Sequence, residues 1–335
     1  MATAIPQQRL AEIVREAQSR TGVSVAAVAL HEAGRTVFAG AHERSFRIAS
    51  ITKSFTATAL SVAGLLDDRR RALLSHTAGY RPERAEQLPP ECAGLWSYSN
   101  AGYWEAAGGF DGDYSAAVRE LVIEPLGLRS TGFETPDDPV LGTLPDDVVA
   151  DPSYPVERRP SGGLWSRVGD LVEYGLAHCA QWSELHEPVG EALGAHYGLG
   201  WWVRDGVLDH EGSVGGYQSL LLLVPERRLV LAVLTNSWRG SALIHRVVKE
   251  LPLGLTPPSS TAEVEPDDGR YAIEGFEAIV ADGSVTEIET DPLTGARFES
   301  RYPLRRDAPL MSWRSDFPRP GVARIGWVAL PRAEP

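Results

Sequence analysis

The spacing of apolar and polar positions predicts helices and strands at both ends of the larger part of the chain. Residues 1–20 show apolar positions at helical spacing and predict an amphipathic helix. Residues 23–30 (VSVAAVAL) and 36–39 predict two strands, and the turn that joins them falls at 32–35. The chain therefore opens with a helix and a strand pair.

From Ser50 onward, apolar or small positions recur at steps of three and four residues, at Ile51, Phe55, Thr58, Val62 and Leu65. This spacing predicts a helix with one buried face. Residues 67–165 mix helical stretches with many Gly and Pro turns. Later segments predict a return to strands and a closing helix: strands over 199–203 and 207–210, a hairpin over 217–234 and a helix over 241–251. This order predicts an α+β fold, in which one antiparallel sheet is flanked by helices and carries an inserted helical region.

The last quarter of the chain has a different character. The segment 253–265 is rich in Pro and Ser and predicts a linker. It separates a predicted larger domain, 1–252, from a smaller one, 266–335. Short strand-like segments punctuated by Gly fill 269–329 and predict a small β-barrel or sandwich. No obvious catalytic constellation lies there, so a structural or cleft-flanking role is expected.

The composition and net charge of the chain limit the classes of partner that it is expected to bind. The chain has 335 residues and a net charge of -13, which argues against nucleic acid or an anionic membrane surface as partner. No apolar run is long enough to span a bilayer, and the first residues lack the basic and apolar segments of a secretory signal, so a cytoplasmic location is predicted. Cys92 and Cys179 lie far apart without metal-ligand spacing and are expected to be free thiols. Neither a metal nor a cofactor is predicted.

The most informative residue is a lysine. Lys53 and Lys249 are the only two lysines, and the remaining positive charge is arginine. Arginine cannot release its proton near neutral pH, so a general base built on a cation must be lysine. Lys53 follows Ser50 by three residues. A position that keeps lysine in such a composition is a candidate for proton transfer.

A helix would bring these two side chains together. Residues three apart lie one turn apart on the same side, so Lys53 can reach the Ser50 hydroxyl. The start of a helix favours developing negative charge, and burial lowers the pKa of a lysine. Lys53 could then accept the hydroxyl proton. The alternative is an N-capping serine followed by a solvated lysine.

Further polar motifs follow in order along the chain. Tyr98, Ser99 and Asn100 occupy a short turn before a predicted helix, and His210, Glu211 and Gly212 precede the long hairpin. The stretch SGGLW (161–165) lies between them. Taken singly, a Tyr-x-Asn triplet is usually only a turn, and a lone histidine is more often a core or surface residue.

Together these motifs resemble the serine hydrolases of the penicillin-recognising superfamily, in the branch of class C β-lactamases, D-alanyl-D-alanine carboxypeptidases, D-aminopeptidases and related esterases. The resemblance covers most of residues 20–250 and rests on Ser-x-x-Lys, Tyr-x-Asn and His-x-Gly. Four further stretches are similar to that family: LLSHTAG (73–79), EPLGL (124–128), SGGLWS (161–166) and LLLVPE (221–226). The resemblance implies a β-lactamase/transpeptidase-like fold with a small lipocalin-like domain after it.

The resemblance also implies roles for individual residues. Ser50 would form an acyl-enzyme, and Lys53 would accept or relay its proton. Tyr98, acidified by nearby positive charge, would act as base and then as acid toward the leaving group. Asn100 would bind the substrate amide and steady Lys53.

The third motif would complete the site. The backbone N–H groups of Ser50 and Ser213, the residue after Gly212, would form the oxyanion hole. His210 would support Tyr98 or contact the substrate.

This chain departs from the family pattern in places. His210 replaces a lysine that helps to bind a substrate carboxylate, so efficient β-lactam turnover is not expected. Only 20 residues separate Lys53 from Leu74, which predicts a reduced helical lobe and a more open cleft. His76 is expected to be a packed, hydrogen-bonded residue. The three tryptophans nearest the motifs are expected to pack mainly in the core: Trp96, Trp201 and Trp202.

Three functions remain in view. The first is a serine hydrolase or acyltransferase that acts on a small-molecule or peptide acyl substrate, either free or linked to a carrier protein. The second resembles penicillin-binding-protein-type thioesterases, which release or macrocyclise nonribosomal peptides. The third is a non-catalytic sensor or scaffold, which retention of Ser50, Lys53, Tyr98 and Asn100 disfavours.

Overall fold

The structure is a computed structural model that describes residues 5–110, 112–192, 194–254, 267–293, 295–304 and 315–333. The α-helices of these ranges are α1 Gln7–Thr21, α2 Thr52–Val62, α3 Asp68–Leu74, α4 Asn100–Ala107, α5 Tyr114–Val118, α6 Arg159–Gly162, α7 Val168–His178 and α8 Gly240–Glu250. Short 3-10 turns cover Ala49–Ile51, Pro90–Cys92, Pro145–Asp147, Val156–Arg158, Ser183–Leu185 and Pro225–Arg227, and a π-helical turn covers Arg119–Ile123.

The strands before α8 are β1 Ala26–Glu32, β2 Arg35–Gly40, β3 Phe46–Arg47, β4 Trp165–Ser166, β5 Gly190–Ala192, β6 Ala195–Tyr197, β7 Trp202–Arg204, β8 Val207–Val214, β9 Tyr217–Val224 and β10 Leu229–Thr235. Eight of them form one sheet in the order β2-β1-β10-β9-β8-β7-β6-β5, with β3 and β4 paired separately. Every neighbouring pair of the large sheet is antiparallel. The predicted α+β fold with one antiparallel sheet is therefore confirmed.

Both faces of this sheet are covered, which explains the uninterrupted apolar run of β10. Leu231 and Val233 point to one face, where they share a core with α1 and α8. Val230 and Ala232 point to the other face, where they share a core with α2 and α7. A strand that is buried on both faces does not alternate in polarity.

The helix α2 runs through the centre of the second core. All residues from Thr52 to Leu60 are buried, whereas Val62 is 44% exposed. The predicted helix is correct, but the prediction of one buried face is wrong. Polar positions tolerate this burial because they are hydrogen-bonded: the hydroxyl of Thr56 lies 2.7 Å from the Tyr114 hydroxyl, and that of Thr58 lies 3.0 Å from the Tyr174 hydroxyl.

The strand predicted over 199–203 begins later than expected, at Trp202. Gly200 has φ +81°, and a Cβ added there would lie 2.9 Å from the Ser54 Cα. The loop passes so close to α2 that only glycine fits, and the strand starts after it. The strand β8 extends to Val214, four residues past the predicted end.

The chain beyond α8 forms two small antiparallel sheets. One contains β11 Gly269–Ile273, β12 Phe276–Ala281, β13 Ser284–Thr290 and β14 Arg297–Pro303, and the other contains β15 Ser315–Arg319, β16 Val322–Ile325 and β17 Val328–Pro331. A bridge between Tyr271 and Arg332 connects them, and they share one apolar core. The predicted linker 253–265 falls outside the described residues from position 255 onward.

These sheets contact the larger part of the chain. The Ala329 N–H donates to the Ser97 hydroxyl at 3.1 Å, and Arg84 pairs with Glu274 at 2.6 Å. Both cysteines are free, as expected. Within the ranges that the structure describes, no helix has the length and apolar character needed to cross a membrane.

Candidate active site

The segment that carries Ser50 is held between the sheet and the turn at 161–164. The Ile48 N–H donates to the Leu164 carbonyl at 3.0 Å, and the Ser219 hydroxyl donates to the Ile48 carbonyl at 2.8 Å. Ala49 has φ +48°, a left-handed conformation that is uncommon for a residue with a Cβ. The Ser50 side chain is therefore presented from a fixed and unusual backbone.

Ser50 lies in the 3-10 turn that precedes α2, and its hydroxyl contacts two predicted partners. Its Oγ lies 3.0 Å from Lys53 Nζ and accepts a hydrogen bond from the Tyr98 hydroxyl at 2.9 Å. The Lys53 side chain is fully buried, so the alternative of a solvated lysine is wrong. Burial lowers the pKa of Lys53 well below its usual value, and the carboxylate of Glu83 opposes this shift.

The other two hydrogen-bond partners of Lys53 leave the lone pair of its amine available for a proton from Ser50. Its Nζ donates to Asn100 Oδ1 at 2.6 Å and to the Ser161 carbonyl at 2.8 Å. A neutral amine has two N–H groups and one lone pair. With both N–H groups donated to these oxygens, the lone pair can face the Ser50 hydroxyl. The contacts and the direction of the pKa shift therefore favour Lys53 as a proton acceptor.

A second layer orients Asn100. Its Nδ2 donates to Glu83 Oε1 at 2.5 Å, which fixes the amide so that Oδ1 faces Lys53. The other oxygen of Glu83 accepts from Arg158 at 3.0 Å. Burial raises the pKa of Glu83, although the bond from Asn100 opposes the shift. No pattern in the sequence marks Glu83 as a site residue, because it lies in a loop without periodicity.

The expected acidification of Tyr98 is wrong. Burial raises the pKa of its phenol well above the usual value, and the hydrogen bond to Ser50 offsets this only in part. A neutral Lys53 supplies no positive charge to stabilise a phenolate. Tyr98 is therefore arranged as a proton donor rather than as the base.

The third motif lies on β8, directly against the Ser50 segment. A Cβ added to Gly212 would lie 2.4 Å from the Ile48 carbonyl oxygen, so only glycine permits this approach. Gly215 and Gly216 have φ +46° and +79° and form the two-residue turn to β9. The pair Val214–Tyr217 closes the turn, so its two residues are hydrogen-bonded.

Hydrogen-bonded and non-hydrogen-bonded residue pairs alternate along two antiparallel strands. This alternation decides which way the Ser213 N–H points. The pair Ser213–Gln218 is non-hydrogen-bonded, so the Ser213 N–H points away from β9. Its other neighbour, β7, pairs with β8 only as far as Asp209. The first hydrogen bond of the 3-10 turn at Ser50 runs from the Ile51 N–H to the Ile48 carbonyl. The Ser50 N–H lies before it in the chain, so the turn itself does not use that N–H. These features are compatible with the predicted oxyanion hole.

His210 occupies a different environment from the one expected. It is buried, and its Nε2 lies 3.0 Å from the Tyr197 hydroxyl. Burial lowers its pKa to about 3, so the imidazole is neutral. Among the described residues, the cavity at Ser50 is lined by Gly212 and Ser213 but not by His210. The expected contact of His210 with substrate or Tyr98 is therefore not seen, because its Nε2 contacts the Tyr197 hydroxyl and its Nδ1 contacts the Glu211 carbonyl at 2.6 Å.

His76 is packed, as expected: its Nδ1 accepts the Ser99 N–H at 3.0 Å. The three tryptophans near the motifs are buried and do not line the cavity in the described ranges: Trp96, Trp201 and Trp202.

A cavity of about 680 Å³ opens at Ser50. The larger part of the chain contributes Ser50, Tyr98 and Asn100 to its wall, and the C-terminal sheets contribute Glu289 and Trp327. The tail therefore has the cleft-flanking position that was one of its predicted roles. It covers one side of a cleft that was expected to be open.

Comparison with solved structures identifies the fold as β-lactamase/transpeptidase-like. SurE aligns with a TM-score of 0.68 at 21% identity, over 98% of this chain and 99% of that chain. A beta-lactamase/D-alanine carboxypeptidase from Pseudomonas syringae aligns with a TM-score of 0.62 at 15% identity, over 72% of this chain and 98% of that chain. At such identities the likeness establishes the fold alone.

The sequence gives the family itself. A model of the Beta-lactamase family matches residues 69–248, more than half of the chain, so the chain belongs to the Beta-lactamase family. A human protein described as beta-lactamase-like 1 is 31% identical over 181 residues, which cover 46% of this chain and 36% of the human protein. The chain thus spans about a third of the length of this curated relative. The family match begins after Ser50 and Lys53, so their assignment depends on the motif and the geometry.

Proposed function

We propose that the chain is a serine hydrolase or acyltransferase that forms an acyl-enzyme on Ser50 from a peptide amide, ester or thioester. The observation that carries this proposal is the position of Ser50 Oγ, 3.0 Å from Lys53 Nζ and 2.9 Å from the Tyr98 hydroxyl. A nucleophile within hydrogen-bond reach of a base that a third group orients is the arrangement that nucleophilic catalysis needs. Carboxypeptidase, D-aminopeptidase and esterase activities all use it.

In the acylation step, Ser50 Oγ bonds to the acyl carbon while its proton moves to the lone pair of Lys53. The oxyanion that forms would accept from the N–H groups of Ser50 and Ser213. The Tyr98 hydroxyl then donates its proton to the amine, alkoxide or thiolate as the bond from the acyl carbon to that group breaks, which leaves a Tyr98 phenolate beside a protonated Lys53. The second step reverses these transfers, with water or another nucleophile as acceptor.

A second candidate is a penicillin-binding-protein-type thioesterase that releases or macrocyclises a nonribosomal peptide. Two observations favour it. The C-terminal sheets, which the sequence suggested to be a lipocalin-like domain, line the cavity and would limit access of water. A structure of SurE with D-Leu also aligns along the whole chain, with a TM-score of 0.65, 20% identity and coverage of 98% of this chain and 99% of that chain. A small-molecule or peptide acyl substrate, free or carrier-linked, fits either candidate.

The third possibility is a sensor or scaffold without catalysis. A buried lysine whose pKa is lowered costs stability, and a binding role gives no reason to retain it. The predicted cytoplasmic location and the predicted lack of nucleic acid and membrane partners remain predictions.

Intact-protein mass spectrometry tests the proposal. The protein would be incubated with a fluorophosphonate, a p-nitrophenyl ester and matched D-leucyl and L-leucyl thioesters. We expect one adduct on Ser50, absent in Ser50→Ala. Ser54→Ala is the matched control, since that hydroxyl lies one turn further on and donates to the Ile51 carbonyl at 2.8 Å. A faster decay of the adduct with added amine than with water alone would favour acyl transfer.

The contrary outcome is equally clear. If no probe labels the wild-type protein, or if Ser50→Ala is labelled as well as the wild type, the acyl-enzyme proposal is wrong and the scaffold is favoured.

A further inference from the structure

A hairpin turn of the C-terminal sheets reaches into the catalytic cleft. Gly326 and Trp327 connect β16 to β17, and the pair Ile325–Val328 closes the turn. Both turn residues have positive φ, +56° at Gly326 and +91° at Trp327. Glycine is the usual residue in such a turn, whereas a tryptophan there is uncommon and strained. A costly conformation that is kept at a cleft is a reason to ask what Trp327 does.

Trp327 contacts Tyr98 in two ways. Its carbonyl accepts the Tyr98 N–H at 2.9 Å, and its ring centroid lies 5.7 Å from that of Tyr98. Two residues further along, the Ala329 N–H donates to the Ser97 hydroxyl at 3.1 Å. Trp327 also lines the cavity at Ser50. The carbonyl of Trp327 therefore holds the backbone of Tyr98, the proposed proton donor, and the ring of Trp327 packs against the ring of Tyr98.

The rest of the Tyr98 segment is held by His76. The Ser97 N–H donates to the His76 carbonyl at 3.2 Å, and the Ser99 N–H donates to His76 Nδ1 at 3.0 Å. The ring of His76 lies 4.3 Å from that of Tyr98. The larger part of the chain thus fixes the residues on either side of Tyr98, while the C-terminal turn bonds the N–H of Tyr98 itself.

We propose that Trp327 is a positioning residue of the active site, which keeps the Tyr98 hydroxyl directed at Ser50 and excludes water from the phenol. This inference rests on the proposed function, in which Tyr98 donates a proton to the leaving group. The C-terminal sheets then complete the catalytic site, because they position Tyr98 in addition to lining the cavity.

The decisive variant is Trp327→Gly. Glycine suits the positive φ of the turn, so the hairpin keeps its conformation and its carbonyl while the ring is lost. We expect kcat for an ester with a poor leaving group to fall about 10- to 100-fold with little change in KM, because Tyr98 is displaced from its donor position. Trp327→Phe restores a ring and should recover most of the rate.

The pH profile separates positioning from general destabilisation. A proton donor must be protonated, so activity falls as pH rises through the pKa of Tyr98. Burial raises that pKa in the wild type. In Trp327→Gly the phenol gains solvent, so the alkaline limb should move to lower pH, toward the ordinary value of about 10.

The matched control is Phe317→Ala. Phe317 packs in the same C-terminal core, with its ring 6.0 Å from that of Tyr271, and makes no ring contact with Tyr98 among the described residues. It should lower the melting temperature without moving the alkaline limb.

The outcomes distinguish this inference from the proposed function. If the fluorophosphonate labels Ser50 in the wild type but Trp327→Gly keeps its kcat and alkaline limb, the positioning role is overturned and the acyl-enzyme stands. If the alkaline limb moves equally in Phe317→Ala, Trp327 acts only through folding, which also overturns the role. If the wild type is not labelled at all, it is the proposed function that fails.

Discussion

Two polar clusters beside the helix α2 have similar components and different surroundings. In the first, Ser50 Oγ lies 3.0 Å from Lys53 Nζ. In the second, two turns further along, Thr58 Oγ1 lies 3.1 Å from His178 Nε2, and His178 Nδ1 lies 3.0 Å from His186 Nε2. Each cluster therefore contains a hydroxyl, a base and a group that holds the base.

Access to substrate separates them. Ser50 lies on the wall of the cavity, whereas Thr58 is fully buried and the His178 ring packs 4.9 Å from that of Trp201 and 4.6 Å from that of Tyr174. No acyl carbon can reach Thr58 in this structure. Nucleophile–base geometry is thus necessary but not sufficient, and the cleft decides which cluster can react. The second cluster serves the core.

The largest effect expected is from Lys53→Arg. Arginine keeps the charge but cannot accept a proton, so the acylation rate constant should fall about 10²- to 10⁴-fold. Stopped-flow burst kinetics with a p-nitrophenyl ester measures it. The matched control is Lys249→Arg, which changes the other lysine on the exposed side of α8 and should leave the burst unchanged. A normal burst in Lys53→Arg would remove lysine from the base role.

The next effect concerns the approach of β8. In Gly212→Ala the new Cβ would lie 2.3 Å from Ser219 Oγ and 2.4 Å from the Ile48 carbonyl oxygen, so the strand must move. A displacement of about 1 Å in the oxyanion donors should lower the acylation rate about 100-fold. The same fluorophosphonate labelling rate reports it. Gly132→Ala, at a position without positive φ where an added Cβ has open space, is the control for replacing a glycine elsewhere in the fold. Equal losses in both variants would contradict a special role for Gly212.

The second cluster should respond in stability and not in rate. Thr58→Val preserves shape but removes the hydroxyl partner of His178 and Tyr174, so we expect a loss of about 1–3 kcal/mol in the free energy of unfolding. Urea denaturation measures that loss, and acylation of Ser50 in the folded variant should proceed at the wild-type rate. A large fall in that rate would mean that the two clusters are coupled.

The smallest effect is a pH dependence of stability. Burial lowers the pKa of His178 below its ordinary value and that of His186 to about 4. A histidine with a lowered folded-state pKa contributes stability that is present above about pH 6.5 and is lost as pH falls toward the folded value. The buried carboxyls of Asp209, Glu211 and Glu289 oppose this effect, because their pKa values are raised to about 6, 8 and 8. The melting temperature of the wild type should therefore fall relative to that of His186→Asn between pH 7 and pH 5.

Other histidines must be separated from this cluster. The pKa values of His76 and His210 are also lowered, so they contribute to the same decrease. His186→Asn should flatten only part of the slope. An unchanged slope would assign the pH dependence entirely to the histidines near the active site.

Local patterns in the sequence predicted much of this molecule. The spacing from Ser50 predicted α2 and the reach of Lys53, and the apolar runs over 217–234 predicted the hairpin of β9 and β10. The triplet Tyr98–Ser99–Asn100 predicted the approach to α4, which begins at Asn100 with Ser99 as its N-cap. These predictions hold because helix and strand periodicity act over a few residues.

Predictions that depended on surroundings were less reliable. The sequence could not show that burial raises the pKa of Tyr98, or that the Tyr197 hydroxyl contacts Nε2 of His210. Glu83 and Trp327 lie in loops, where no periodicity marks them, and Trp327 reaches the site from a distant part of the chain.

The sequence by itself determined which residues could do chemistry: a serine and one of two lysines a helical turn apart, with a tyrosine and an asparagine in a turn. The tertiary structure decided which of them can act and in what protonation state. The pKa of a side chain depends on its desolvation and on the charges around it, and both are set by residues far away in sequence. Access to the cleft is likewise a property of packing, and it separates Ser50 from Thr58, two helical turns apart on one segment.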